Sequence, residues 1–326
     1  MRASIQAAPR LMATAEARKI RSSRELENAG ALCHAAEMKR PHITGAEPGE
    51  PFFKGWAKPG PVPPGAGQHW QEELESEETL DAISGHFRLY QLKKGHRFST
   101  DDVLTAWYGT SWAPTARTVL DLGSGIGSVG MIAAWRLPGA HFVTIEAQPE
   151  SVRLARKSRR YNGLEERYEI REGDFRDPEL LEPGRTFDLV LGSPPYFPLG
   201  SGIEGDHPQK VACRFEVRGN IAHYCATAAA HLGLGGWFAC VFPTEQLARV
   251  ETAARESGLV IVRRRPIVLR EGEPPLLTLF AMVRAGDLPE AMRQRTWVEP
   301  ALIIRQINGH VHPEYAAVKL SFGFPP

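Results

Sequence analysis

Two short segments carry residue types that could do chemistry together. The first is Ser193-Pro194-Pro195-Tyr196, which follows an apolar run. An amine conjugated to a ring is a poor nucleophile, because its lone pair is delocalised. The Ser193 hydroxyl and the Pro194 carbonyl can accept both N–H groups of such an amine and fix the geometry of attack. Pro194 and Pro195 bring no competing N–H donors and stiffen the loop. Tyr196 offers a ring on which a base can stack, worth about 1–3 kcal/mol per base. Alone, Pro-Pro-Tyr reads as a proline-rich turn with a packed tyrosine. Its seat after a strand, downstream of a glycine-rich turn, favours the chemical reading.

That glycine-rich turn is the second segment, Asp121-Leu122-Gly123-Ser124-Gly125-Ile126-Gly127. It follows a strand-like run and opens a helix, the place where doubly wound sheets bind nucleotide-like ligands. Gly123, Gly125 and Gly127 allow a tight turn and a close backbone approach, with Ile126 on the same turn. The cluster is read as a donor turn and not as a pyrophosphate fingerprint, partly because Asp121 puts a carboxylate where a pyrophosphate would be repelled. Asp121 could instead bind the amino-acid portion of a donor through water. Glu146 closes the next strand, about 20 residues on, where a carboxylate can accept from both ribose hydroxyls. Asp174 is placed to accept from an adenine amino group, or to cap a turn, and Phe175 to cover the ring. Upstream, Ser99, Thr100 or Asp101 starts a helix. Thr100 and Asp101 would either touch the methionine end of a donor or serve as caps.

These residues need a frame that brings strand ends together. From Thr118 onward, short apolar runs alternate with amphipathic ones: strands at 119–122, 142–145, 168–171, 187–191, 236–242, 259–262 and 276–283. Helices are expected at 128–136, 149–161, 216–232 and 244–257. This alternation predicts an α/β, doubly wound, mostly parallel seven-stranded sheet. The last two strands lack an intervening helix and should form an antiparallel hairpin. Residues 41–70 are dense in Pro and Gly and read as a linker. The expected division is therefore an N-terminal extension or linker over 1–72 and a catalytic domain over 73–326.

Composition sets the outer limits. Of the 326 residues, 42% are apolar and 24% charged, and the net charge is +1. Such a balance gives no long-range pull on nucleic acid but leaves room for a local basic groove. The four cysteines show neither zinc spacing nor a disulfide framework, so no metal is expected and a reducing, cytoplasmic setting fits. No apolar run approaches the roughly 20 residues of a membrane helix, so no membrane association is expected. The Arg- and Ala-rich start is compatible with a targeting segment, with a tail, or with a true start at Met38.

From about Phe87 to the C-terminus the chain resembles the bacterial tRNA-valine adenine-N6 methyltransferase family. The resemblance rests on "GHRFSTDDVLTAW" at 95–107, "DLGSGIGSVG" at 121–130, Glu146 and "FDLVLGSPPYF" at 187–197. It extends to Arg214-Phe215-Glu216 and "REGEPPLLTLFAMV" at 270–283. It implies a Rossmann-like class I methyltransferase using S-adenosyl-L-methionine on an exocyclic adenine amine, with tRNA as partner. It also implies donor contacts by Asp121, Gly123, Glu146 and Asp174, and base contacts by Ser193, Pro194 and Tyr196. The family usually has Asn where this chain has Ser193. A serine hydroxyl is shorter and can donate as well as accept, and Ser-Pro-Pro-Tyr also occurs in enzymes acting on cytosine N4. A protein glutamine amide is a further acceptor for the same chemistry, and a donor-binding protein with little turnover is the non-enzymatic reading. Two basic runs, Arg153 to Arg160 and Arg263-Arg264-Arg265, could touch phosphates or form solvated faces. The oligomeric state is left open, a monomer being compatible.

Overall fold

The computed structural model describes residues 48–53, 55–67, 70, 73–200 and 207–324. The targeting-segment and Met38 readings fall outside these residues. Strands β1 (Phe52–Phe53) and β2 (Trp56–Ala57) form a small hairpin, and β3 (Glu78–Ser84) pairs antiparallel with β4 (Phe87–Leu92). Next come α1 (Thr100–Trp112), β5 (Thr118–Leu122), α2 (Ser128–Arg136), β6 (His141–Glu146), α3 (Pro149–Tyr161), β7 (Tyr168–Glu172) and β8 (Phe187–Gly192). The second half holds α4 (Pro208–Arg214), α5 (Ile221–His231), β9 (Leu232–Pro243), α6 (Leu247–Glu256), β10 (Leu259–Arg270) and β11 (Leu277–Arg284). The chain closes with β12 (Trp297–Val298), β13 (Leu302–Arg305) and α7 (Pro313–Leu320).

Seven strands lie in the order β7-β6-β5-β8-β9-β11-β10, and all run parallel except β11. The expected C-terminal hairpin is β10–β11. The sheet is wider than the sequence pattern indicates: the short strands β12 and β13 pair parallel along the outer edge of β10, making nine. The inner strands β5, β8 and β9 are buried on both faces, which is why Val119-Leu120 and Leu189-Val190-Leu191 read as unbroken apolar runs. One apolar core packs α1, α2, α3 and α7 on one face, and a second packs α5 and α6 on the other. The strand order reverses between β5 and β8, which opens a crevice at their carboxyl ends.

Helix starts follow local rules. Ser99 is the N-cap of α1, and its backbone N–H donates to the Asp102 carboxylate at 2.9 Å, half of a capping box. Gly127 caps α2 with φ +87°, a left-handed conformation that suits glycine. Pro149 opens α3 at a position that needs no N–H.

The hairpin β3–β4, which the sequence pattern does not reveal, lies along α3. The backbone N–H groups of Arg88 and Tyr90 donate to Asn162 Oδ1 and Ser158 Oγ, both at 2.9 Å. Helix side chains thus satisfy strand donors that have no neighbouring strand. The fully buried Glu78 carboxylate meets Lys157 Nζ and Arg153 Nη1, each at 2.7 Å. Arg153 also pairs with Glu75 and Glu150, and Arg156 and Arg160 face Glu172 and Glu73. The basic run on α3 is therefore a brace and not a free phosphate-binding face. The Pro- and Gly-rich stretch also touches the domain, with Pro63 and Gly65 buried. A Cβ on Gly65 would lie 2.6 Å from the Tyr161 ring.

Removing one member of a buried ion pair leaves the other charge stranded. Lys157→Met should cost about 3 kcal/mol in chemical denaturation, the low end for such a loss because Arg153 still faces Glu78. Adding Glu78→Gln should recover part of that cost. Strict additivity of the two changes would show that the pair is not coupled.

Candidate active site

The crevice holds a cavity of about 270 Å³, walled by the ends of β5, β6 and β8, the start of α1, and α4. The turn after β5 forms its floor. Gly123, Gly125 and Gly127 have φ of +60°, +57° and +87°, and a Cβ on Gly123 would fall 2.2 Å from Tyr224 Oη. Glu146 fixes this turn: Oε2 accepts from Gly125 N at 2.8 Å and Oε1 from Gln148 N at 2.7 Å. Burial pushes the Glu146 carboxyl up, against the pull of those two N–H donors. Asp121 lies deeper, 1% exposed, and its Oδ2 has no hydrogen-bond partner among the described residues. Burial, with smaller contributions from Asp102 and Glu146, holds its carboxyl well above the usual carboxylate range.

The Ser193–Tyr196 loop leaves the end of β8 and faces α1. Tyr196 Oη donates to Asp101 Oδ2 at 2.9 Å, and its ring stands edge-on to Phe242 at 5.8 Å. Gln246 Nε2 donates to the Tyr196 carbonyl at 2.9 Å. The next residue is pinned on both sides, with Phe197 N donating to the Arg214 carbonyl and Glu216 N donating to the Phe197 carbonyl. The Ser193 side chain lines the cavity half-buried and makes no hydrogen bond among the described residues. Thr100, at the start of α1, lies near Tyr315 of α7.

A methyltransferase-domain family profile matches residues 115–206. A 4-amino-L-phenylalanine/4-methylamino-L-phenylalanine methyltransferase of Streptomyces pristinaespiralis is 30% identical over 223 residues, covering 61% of this chain and 72% of that protein. The chain belongs to the S-adenosylmethionine-dependent methyltransferases. It is also 25% identical to the tRNA1(Val) (adenine(37)-N6)-methyltransferase of Vibrio cholerae, over 70% of this chain and 90% of that protein. The same enzyme of Shewanella amazonensis is 29% identical over 66% of this chain and 86% of its own length. In solved structures, a predicted O-methyltransferase of Agrobacterium tumefaciens shares the fold, with a TM-score of 0.53 and 21% identity, covering 69% of this chain and 98% of that one.

The methyltransferase brings nearly all the residues singled out in sequence to one cavity. Thr100, Asp101, Asp121, Gly123, Gly125 and Ile126 line it, as do Glu146, Asp174, Phe175 and Ser193 to Tyr196. Gly127 does not; it sits beneath the turn, 3.0 Å from Met131 Cε if given a Cβ, and serves the helix cap. Asp174 is engaged by Arg176, whose backbone N and Nε donate to Oδ1, and this keeps the carboxyl below its usual range. Phe175 meets the Tyr224 ring at 4.6 Å. Gly125, Gly127 and Gly130 do stand in G-x-G-x-x-G register, so glycine spacing does not separate a methyl donor from a dinucleotide. Sequence reading passed over Tyr224, Arg218 and Gln148, which carry no motif of their own. No group of three or more metal-ligating side chains occurs among the described residues, and no described helix is long and apolar enough to cross a membrane.

The state of Asp121 can be read from stability. Its raised folded pKa means that, above its unfolded value of about 4, the folded chain keeps a proton that the unfolded chain releases. Wild-type stability therefore falls as pH rises through that window, by up to about 1.4 kcal/mol per pH unit from this group. Asp121→Asn removes the slope. Denaturation at successive pH values upward from about 4, without donor, should show the variant gaining on the wild type until the wild-type carboxyl ionises in the fold. A constant difference between the two would mean that Asp121 is ionised in the fold.

Proposed function

We propose that this chain methylates the exocyclic N6 amine of adenine in structured RNA, with tRNA as the substrate class. The observation that carries this reading is the meeting, in one cavity, of the Ser193–Tyr196 loop with the Glu146-pinned glycine turn. The adenine-N6 activity in the names of the Vibrio and Shewanella relatives supports it. When bound, S-adenosylmethionine supplies a methyl group on a positively charged sulfur.

The residues present suit that donor. Each Glu146 oxygen already accepts one backbone N–H and keeps a lone pair for a ribose hydroxyl. Asp174 reaches the adenine amino group while sharing its charge with Arg176. Phe175 covers the ring, and Asp121 holds the amino-acid end of the donor from beneath the turn. Thr100 and Asp101 close over that end. On the acceptor side, the open Ser193 hydroxyl and the Pro194 carbonyl take the two N–H groups, turning the nitrogen lone pair toward the methyl. Tyr196, anchored through Asp101, stacks on the base. As the N–C bond forms the sulfur–methyl bond would break, its electron pair leaving a neutral thioether, and the nitrogen gives up one proton to water.

A second reading takes a small aryl amine as acceptor. One observation favours it: both long basic runs are spent within the fold. Arg264 pairs with Glu251, Arg265 with Glu314 and Arg263 approaches Glu299, as the α3 run does with its own acids. Incubation with labelled donor and either total RNA or 4-amino-L-phenylalanine decides between them. N6-methyladenosine in digested RNA is the expected product; N4-methylcytosine, or label only in the amino acid, would sink the adenine assignment.

Tyr196→Ala should lower kcat roughly 10- to 100-fold, matching the loss of one stacked base, with donor Kd nearly unchanged. A loss of donor affinity instead would move Tyr196 out of the acceptor side. Ser193→Ala should lower kcat about tenfold, and Ser193→Asn should restore it because the amide carbonyl accepts the same hydrogen. Equal kcat for wild type and both variants would show that the side chain is no acceptor.

A further inference from the structure

Most arginines near the site have internal partners, and Arg214 stands apart. Arg97 pairs with Asp81, Arg176 with Asp174 and Arg249 with Glu216. In the segment Arg214-Phe215-Glu216, Phe215 is buried in the fold and Glu216 is held by Arg249. Arg214 uses only its backbone: its carbonyl accepts from Phe197 N at 3.1 Å, and its guanidinium has no ion pair or hydrogen bond among the described residues. Arg214 nevertheless lines the cavity, half-exposed. The parallel bridge Phe197↔Phe215, with the Phe197 N–H on the Arg214 carbonyl, sets the Arg214 backbone beside the residue that follows Tyr196. Arg218 lines the same wall, but its charge already acts on Glu146 and Asp174 on the donor side.

A planar, permanently charged fork held beside an acceptor platform matches an anion with two adjacent oxygens. We infer that Arg214 grips the anionic group carried by the acceptor, which in RNA is the phosphodiester next to the target base. This rests on the reading of Ser193–Tyr196 as the acceptor side. The same fork would hold the carboxylate of an amino-acid aryl amine. Arg214 thus selects amines that carry an anion, and it contributes nothing to the donor.

The test measures binding and not turnover, so a failure of the methylation reading leaves it intact and shows separately as binding without transfer. A labelled, adenosine-containing single-stranded RNA is titrated with the full chain, saturated with S-adenosylhomocysteine, from about 50 to about 200 mM salt. Arg214→Gln should weaken binding about tenfold and reduce the log–log salt slope by about 0.7, the share of one phosphate contact on a single strand. Arg214→Lys should keep the slope, losing only the bidentate geometry. Arg263→Gln, whose guanidinium stacks 3.9 Å over Trp112, should leave the slope alone. Melting temperature and S-adenosylhomocysteine affinity should match wild type in Arg214→Gln, because the side chain has no ion pair or hydrogen bond among the described residues to lose. In a second arm, calorimetry compares 4-amino-L-phenylalanine with 4-methylaniline. If the amino acid binds and only its affinity falls in Arg214→Gln, the anion is a carboxylate. The inference is overturned if Arg214→Gln weakens neither RNA nor the amino acid, if Arg263→Gln lowers the slope equally, or if donor-product affinity falls with it.

Discussion

The site depends on one buried carboxylate. Glu146 ends β6 and bonds the amide of Gly125 on one side and that of Gln148 on the other. It therefore ties three things together: the turn after β5, its own strand and the approach to α3. Three of the turn's five residues are glycines with positive φ and Ile126 alone is anchored in the core, so much of its shape is set from outside. Charge-assisted bonds to backbone N–H groups do this at short range and offset part of the cost of burying the acid. Because each oxygen retains a lone pair, the group that shapes the floor of the cavity remains able to bind what lies on it.

The charge pattern of the surface follows a similar economy. A run of basic residues on α3 looks like a nucleic-acid footprint when only the helix is considered. In the fold it fastens the hairpin β3–β4 through Glu75, Glu78 and Glu150. The triplet on β10 meets acids from α6, α7 and the segment after β12. A cation on a helix or strand carries information about partners only after its own acids are counted, and among the described residues Arg214 passes that count.

The alternation of strands and helices from Thr118 to Val283 was legible because each element repeats its own period and ends on a turn residue. Both 128–136 and 149–161 match the helices observed. Residues that share the cavity were legible where residue type and strand end coincide, as at Glu146 and Ser193. Other features were hidden for physical reasons. Strands β3 and β4 mix polar and apolar residues because they pack on a helix with polar side chains, as Ser158 and Asn162 show. Strands β12 and β13 are too short to display a period. Gly65 reads as linker, yet its missing Cβ is what lets the chain lie on Tyr161. Partners that meet only in space, such as Asp101 with Tyr196, leave no trace in either local pattern.

That last contact has a consequence for how the molecule comes into being. Asp101 precedes the first strand of the central sheet, and Tyr196 follows the fourth of its seven main strands. During synthesis the glycine turn can form early, from β5, β6 and α3 alone. The wall opposite it cannot close until β8 and the Ser193–Tyr196 loop are made, since non-local contacts wait for the chain that makes them. A chain made only as far as β7 therefore holds half a pocket, and the opposite wall arrives with β8 and the loop that follows it.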